Sequence, residues 1–203
     1  MSGRLFTEDF KAQPYWWDAA PLANENTDLP GRADVAIIGA GYTGLHAAIR
    51  TARAGLATVV VDAEAAGFGC STRNGGQIST SIKPSYAQLS KRYGPDLAVR
   101  ILKEGRAALD YIQSFATEEN IACAFSISGR FDGIHHPRLY DKIARNIASK
   151  HPGFDTGAYM VPKSEQHCEI QSDAYHGGVV YPRNASVDPA RYHRGLLQVA
   201  SAA

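Results

Sequence analysis

The sequence has few cysteines, almost no excess charge and no long apolar runs. Its three cysteines, Cys70, Cys123 and Cys168, are too few and too scattered for a disulfide framework or a zinc site. Free thiols fit a reducing compartment. Twenty-one Lys and Arg stand against 20 Asp and Glu, a net charge of +1. That balance gives no electrostatic footprint for nucleic acid or for an anionic membrane surface. No stretch approaches the roughly 20 apolar residues of a membrane span. The opening residues mix charges and lack an apolar core, so no secretory signal is expected and the cytoplasm is the expected location. No metal site is expected either. His135 and His136 are adjacent and would alternate faces on a strand, so a surface or loop position suits them better than shared metal ligation.

What is present is an ordinary globular composition, with 44% hydrophobic and 20% charged residues in 203. Length alone allows one to two domains. Residues 1–32 read as an extended lead-in, because Pro14, Pro21 and Pro30 prevent a continuous helix. Both tryptophans of the chain fall there, in Tyr15-Trp16-Trp17, and these rings are expected to pin the lead-in to the domain. Ala33–Ile38 is a short β-branched run that reads as a buried strand. Helix formers follow over 43–54, with Gly55 as the stop. Thr58–Val61 is a second buried strand. Strand, helix and strand within about 30 residues make a βαβ unit with parallel strands. Further on, the patterns predict a long helix over 95–120, an interrupted strand over 125–134 and a helix over 137–149. A loop is expected over 151–157 and a short strand over 178–181. Asp188-Pro189 should open a last helix.

The 19 glycines are concentrated, and their placement carries the chemistry. Gly39-Ala40-Gly41-Tyr42-Thr43-Gly44 matches G-x-G-x-x-G between a strand and a helix, the context in which that pattern binds dinucleotides. Gly39 permits the tight turn. Gly41 admits a pyrophosphate to the backbone at the helix N-terminus. Gly44 lets helix and strand pack closely, and Thr43 lies in the same turn. Asp62 ends the second strand 23 residues after Gly39, where a carboxylate should accept from an adenosine ribose. A second glycine-rich segment, Gly67–Gln77, offers amides and Ser71 to phosphate or ring oxygens. Arg73 adds charge-assisted donors. These features serve NAD and FAD alike.

These segments together resemble the FAD-dependent oxidoreductases of the D-amino-acid oxidase family, nearest their gamma-glutamylputrescine oxidoreductase type. The likeness rests on Ala33–Leu45, on Val61-Asp62-Ala63-Glu64 and on Ser71-Thr72-Arg73-Asn74-Gly75-Gly76-Gln77. Tyr15-Trp16-Trp17 and residues 173–178 are similar too. The resemblance implies an α/β fold, a Rossmann-like FAD-binding βαβ unit with part of an inserted α+β substrate domain. It implies oxidation of an amine or amino acid to an imine, with oxygen reduced to hydrogen peroxide. Gly39, Gly41 and Gly44 would hold the pyrophosphate and Asp62 the ribose. Ser71, Arg73, Asn74, Gly75, Gly76 and Gln77 would line the side from phosphate to flavin. The family pattern usually has Ala and Gly where this chain has Cys70 and Thr72. No catalytic residue is assigned.

The expected organisation is a lead-in (1–32), the FAD-binding βαβ unit and loop (33–82), a helical and partial substrate-domain region (83–177) and a return strand and helix (178–203). The last helix shows no stop signal, and two parallel strands make a poor sheet. The sequence therefore reads as the N-terminal part of a longer flavoenzyme. An NAD-dependent dehydrogenase and a non-catalytic dinucleotide-binding fragment are the competing readings.

Overall fold

The computed structural model of the protein describes residues 5–22, 28–148 and 155–203. Parts of the expected lead-in (1–4 and 23–27), the end of the expected helix at Ser149 and most of the expected loop (151–154) lie outside the described residues. In chain order the elements are β1 (Val35–Ile38), α1 (Tyr42–Arg53), β2 (Thr58–Val61), β3 (Gln77–Ile78), α2 (Tyr86–Tyr93) and α3 (Pro95–Glu118). They continue with β4 (Arg130–Gly133), α4 (Pro137–Ala148), β5 (Tyr159–Val161), β6 (Gly178–Tyr181), β7 (Ala185–Ser186) and α5 (Pro189–Ala202). Among the described residues no helix is long and apolar enough to cross a membrane.

Contacts divide the chain into two units. The first takes the described residues up to Gly75, with Glu119–Cys123 and Asp188–Ala203. Here β1 and β2 pair in parallel, Val35 opposite Thr58 through Ile38 opposite Val61. The crossover helix α1 places Leu45, Ala48 and Ile49 in the core. Its last turn carries Arg50 and Arg53, which suit the negative end of the helix dipole. Gly55 follows at φ +82° and donates to the Ala52 carbonyl at 2.8 Å, as a helix stop requires. Helix α5 begins as its sequence predicts. Asp188 caps it, accepting from the amides of Ala190 and Arg191 at 3.1 and 3.0 Å, and Pro189 occupies the first turn. It packs on α1 and buries Tyr192, His193 and Leu196.

Neither β1 nor β2 is the buried strand that its apolar run predicts: β1 alternates between half-buried and exposed, with Ile38 90% exposed, and β2 is half-buried throughout. The sheet has two strands, with α1 packed against them. An apolar run reads as buried only when a layer covers each face.

The second unit takes Gly76–Glu118 and the described residues of 124–187. It holds an antiparallel sheet in the order β4-β6-β5 and the short pair β3-β7. Central β6 buries Gly178, Val179 and Val180. Helix α2 is an element that hydrophobic periodicity missed. Ser85 and Gln88 form a reciprocal capping box at its start. Leu89 then packs with Ala98 and Leu102 of α3, flanked by Ile82, Tyr86 and Ile101. The unit thus combines an antiparallel sheet, touched by α4 at β5, with the packed pair α2 and α3, a mixed α and β composition.

Candidate cofactor-binding site

The site forms where two glycine segments of the first unit meet. The turn from β1 into α1 is tight: Gly39 sits at φ +104° and donates to the Val61 carbonyl at 2.7 Å. A Cβ on Gly44 would lie 1.9 Å from the Gly39 carbonyl oxygen. No side chain fits there, so helix and turn meet backbone to backbone.

This turn leaves the start of α1 open. Gly41 is the N-cap residue and offers no side-chain cap, and the first turn holds no acidic residue. The Tyr42 amide donates to Ser71 Oγ at 3.2 Å. The amides of Gly41, Thr43 and Gly44 have no partner among the described residues. Thr43 is exposed beside them. Unpaired N–H groups at the positive end of a helix, with glycine in place of side chains, fit a pyrophosphate.

Asp62 closes the turn from below. Its carboxylate accepts from the Ala40 amide at 2.7 Å and from the Glu64 amide at 3.2 Å. The Ala40 amide first, then that of Glu64, hold its pKa below the ordinary carboxylate value. Asp62 is exposed and keeps lone pairs for a ligand hydroxyl. It borders a cleft of about 510 Å³ lined also by Ala40, Val61, Glu64 and Leu197. The cleft runs the length of β2, from Thr58 to Asp62, between α1 and α5, and its Ala40–Asp62 end reaches the carboxyl ends of the parallel strands, where open α/β sheets bind their ligands. A larger cleft, about 780 Å³, runs along α5 and residues 119–122 and contains none of the motif residues. Its arginines are engaged: Arg53 with Glu119, Arg191 with Asp188, Arg194 with the Pro21 carbonyl.

The second segment is held by side chains. Asn74 Nδ2 donates to the carbonyls of Cys70 and Ser71, both at 3.1 Å. Arg73 Nε donates to the Phe68 carbonyl at 2.6 Å. The Arg73 guanidinium lies 4.1 Å from the Phe68 ring and 4.8 Å from the Trp17 ring. Thr72 is 1% exposed. Its hydroxyl donates to the Gly67 carbonyl at 2.7 Å and accepts from Trp17 Nε1 at 2.7 Å. Trp16 Nε1 donates to the Asn74 carbonyl at 2.8 Å. The lead-in is pinned by Trp16 and Trp17, while Tyr15 is 81% exposed.

Of the predicted site residues, the structure brings Gly39, Gly41, Thr43, Gly44, Asp62, Ser71, Arg73, Asn74 and Gly75 into one unit. Gly76 and Gln77 fall in the other, where Gln77 opposes Ser186 in the β3–β7 pair. His193 was not anticipated. It is 3% exposed, with Nε2 2.6 Å from the Ala40 carbonyl oxygen. Burial lowers its pKa, against smaller raising effects from Ala40 and Asp62. A neutral imidazole therefore donates from Nε2 to the turn. A Cβ on Gly67 would lie 2.7 Å from the same ring, so His193 touches both glycine segments. Nearby, burial chiefly raises the Tyr42 phenol to about 12, and its Oη donates to the Pro189 carbonyl at 2.9 Å.

A profile of FAD dependent oxidoreductases matches residues 34–203. The chain belongs to this family. FAD is the family's cofactor, which removes the NAD-dependent alternative. The chain is 46% identical over 178 residues to the gamma-glutamylputrescine oxidoreductase of Escherichia coli (strain K12), covering 84% of this chain and 41% of that protein. It is 32% identical over 183 residues to a probable oxidoreductase OrdL of Rhizobium meliloti (strain 1021), covering 86% and 41%. It therefore spans about two fifths of the length of these curated relatives. Among solved structures, an L-amino acid deaminase from Proteus vulgaris superposes with a TM-score of 0.67 at 19% identity, covering 88% of this chain and 44% of that one. A glycine oxidase from Bacillus cereus ATCC 14579 gives 0.63 at 17%, covering 84% and 45%. At these identities the superpositions establish the fold.

Proposed function

We propose that this chain forms the dinucleotide-binding part of an oxidase that converts an amine or amino acid to an imine and passes the electrons to oxygen, yielding hydrogen peroxide. The observation that carries this reading is the Tyr42 amide on Ser71 Oγ. It joins the G-x-G-x-x-G turn to the second glycine segment around an open helix start. Gly41, Thr43 and Gly44 would take the pyrophosphate on their amides. Asp62 would accept from the adenosine ribose while its hold on Ala40 keeps the turn in place. Ser71, Arg73, Asn74 and Gly75 would line the path from phosphate to flavin. Bound FAD supplies the two-electron acceptor for the amine. His193 keeps the Ala40 carbonyl engaged from inside, so the adjacent amides face outward.

The 46% identity to a gamma-glutamylputrescine oxidoreductase supports a gamma-glutamylputrescine-like amine as the substrate. Titration of the chain with FAD, followed by flavin fluorescence, tests the binding. Saturable quenching is the expected result, and no quenching up to high micromolar FAD contradicts it. The substrate is tested in a chain of the relatives' length, by peroxide release from gamma-glutamylputrescine against a panel of other amines and amino acids. Release from none of them contradicts the oxidase reading.

A further inference from the structure

The lead-in segment reaches across some 55 residues of sequence to grip the second glycine segment at two points. Trp17 Nε1 donates to Thr72 Oγ1, and Thr72 Oγ1 donates onward to the Gly67 carbonyl, both at 2.7 Å. Trp16 Nε1 donates to the Asn74 carbonyl at 2.8 Å. The Trp17 ring also stands 5.9 Å from Phe68 and forms one face of the Arg73 stack. Thr72 is the node: a buried hydroxyl with one donor and one acceptor role, both used within the protein. Gly67 and Asn74 are the two ends of the segment that carries Ser71, and Ser71 caps Tyr42. A hydroxyl relay that fixes Gly67 therefore fixes where Ser71 stands relative to the turn.

We propose that Trp16 and Trp17 form a latch on the cofactor loop and that Thr72 is its positioning residue. The inference rests on the reading that this loop borders FAD, but the latch itself is a property of the protein without flavin. Thr72→Val keeps the branched shape and removes both hydrogen bonds. It leaves a half-buried indole N–H and a buried carbonyl unpaired. Thr72→Ser restores the hydroxyl, and Trp17→Phe removes the donor while keeping an aromatic ring beside Phe68 and Arg73.

The test uses the whole chain without flavin, then with FAD. Hydrogen exchange is read over residues 67–75, where the amides of Phe68 and Arg73 are bonded locally to Ala65 and Cys70. Both tryptophans of the chain sit in the latch, so indole emission reports on it directly. Thr72→Val and Trp17→Phe should speed loop exchange about tenfold. Thr72→Val should shift indole emission to the red and weaken FAD binding about tenfold. Thr72→Ser should match the wild type in all three. Loop exchange unchanged in Thr72→Val and Trp17→Phe would overturn the latch. Faster exchange with unchanged FAD affinity would overturn its role toward the cofactor. Faster exchange in a protein that binds no FAD at all would support the latch and remove the cofactor reading instead.

Discussion

The two glycine segments that meet in the first unit are held by opposite means. The Gly39–Gly44 turn is held through its own main chain: Gly39 bonds to the Val61 carbonyl, the Ala40 amide and carbonyl are taken by Asp62 and His193, and Gly44 lies against the Gly39 carbonyl. The Gly67–Gly75 segment is held by side chains, Trp16 and Trp17 from far along the chain and Thr72, Arg73 and Asn74 from within it. The first arrangement demands residues without side chains. The second demands particular side chains as well as glycine at position 67, where φ is +85° and a Cβ would meet His193.

That contrast orders the expected effects of substitution. Gly44→Ala should be the most damaging, because its Cβ would overlap a carbonyl that cannot rotate away. A loss of roughly 3 kcal/mol is expected, read as a fall in the urea midpoint. An unchanged midpoint would show that the turn is softer than its geometry. Asp62→Ala should cost roughly 1.5–3 kcal/mol in FAD binding, about ten- to hundredfold in affinity, by losing a charge-assisted bond. Unchanged affinity by titration would remove the ribose assignment.

Acidification probes the side of the turn that His193 holds. Burial lowers the pKa of His193, and burial with Arg50 lowers that of His46, from 6.5. The unfolded chain takes up these protons as pH falls through about 6.5 while the folded chain resists them. Stability is therefore expected to fall below that point. Asp62 acts lower down: its pKa is held below 3.8, so its contribution disappears only as pH drops through that depressed value. Urea midpoints at pH 7.5 and 5.5 should differ in the wild type. They should differ less in His193→Gln, which keeps a donor for the Ala40 carbonyl. An equal difference in both proteins would place the proton uptake elsewhere.

The smallest effect belongs to the loop. Arg73→Ala removes two ring contacts, worth about 0.5–1 kcal/mol each at exposed sites, and one exposed hydrogen bond to the Phe68 carbonyl. It should weaken FAD binding less than Asp62→Ala does. A larger loss would mean that the guanidinium also meets the cofactor.

The same contrast explains what the sequence disclosed. The βαβ unit and its turn were readable because strand period, helix period and glycine spacing are local. So was the Asp188-Pro189 start of α5. The loop's supports were not, since a bond from Trp17 to Thr72 spans 55 positions and leaves no periodic trace. His193 was hidden for a related reason: one polar residue on α5 becomes buried only when that helix packs on α1. Helix α2 had a local signal, the Ser85–Gln88 capping box, which its low hydrophobicity masked. Strands of two or three residues such as β3, β5 and β7 are defined by their partners and carry too little pattern to find alone.

The most direct test of the central claim is flavin binding by Gly41→Val. A Cβ at Gly41 would approach Ser71 Oγ at 3.0 Å, a contact that a hydroxyl can relieve by turning, so the fold should survive. The branched side chain would then occupy the space beside the unpaired amides. FAD titration of the wild type and the variant, with circular dichroism as the control on folding, separates the two effects. A folded variant that has lost FAD binding is the predicted result. A folded variant that binds FAD as the wild type does would contradict the placement of the pyrophosphate at this turn.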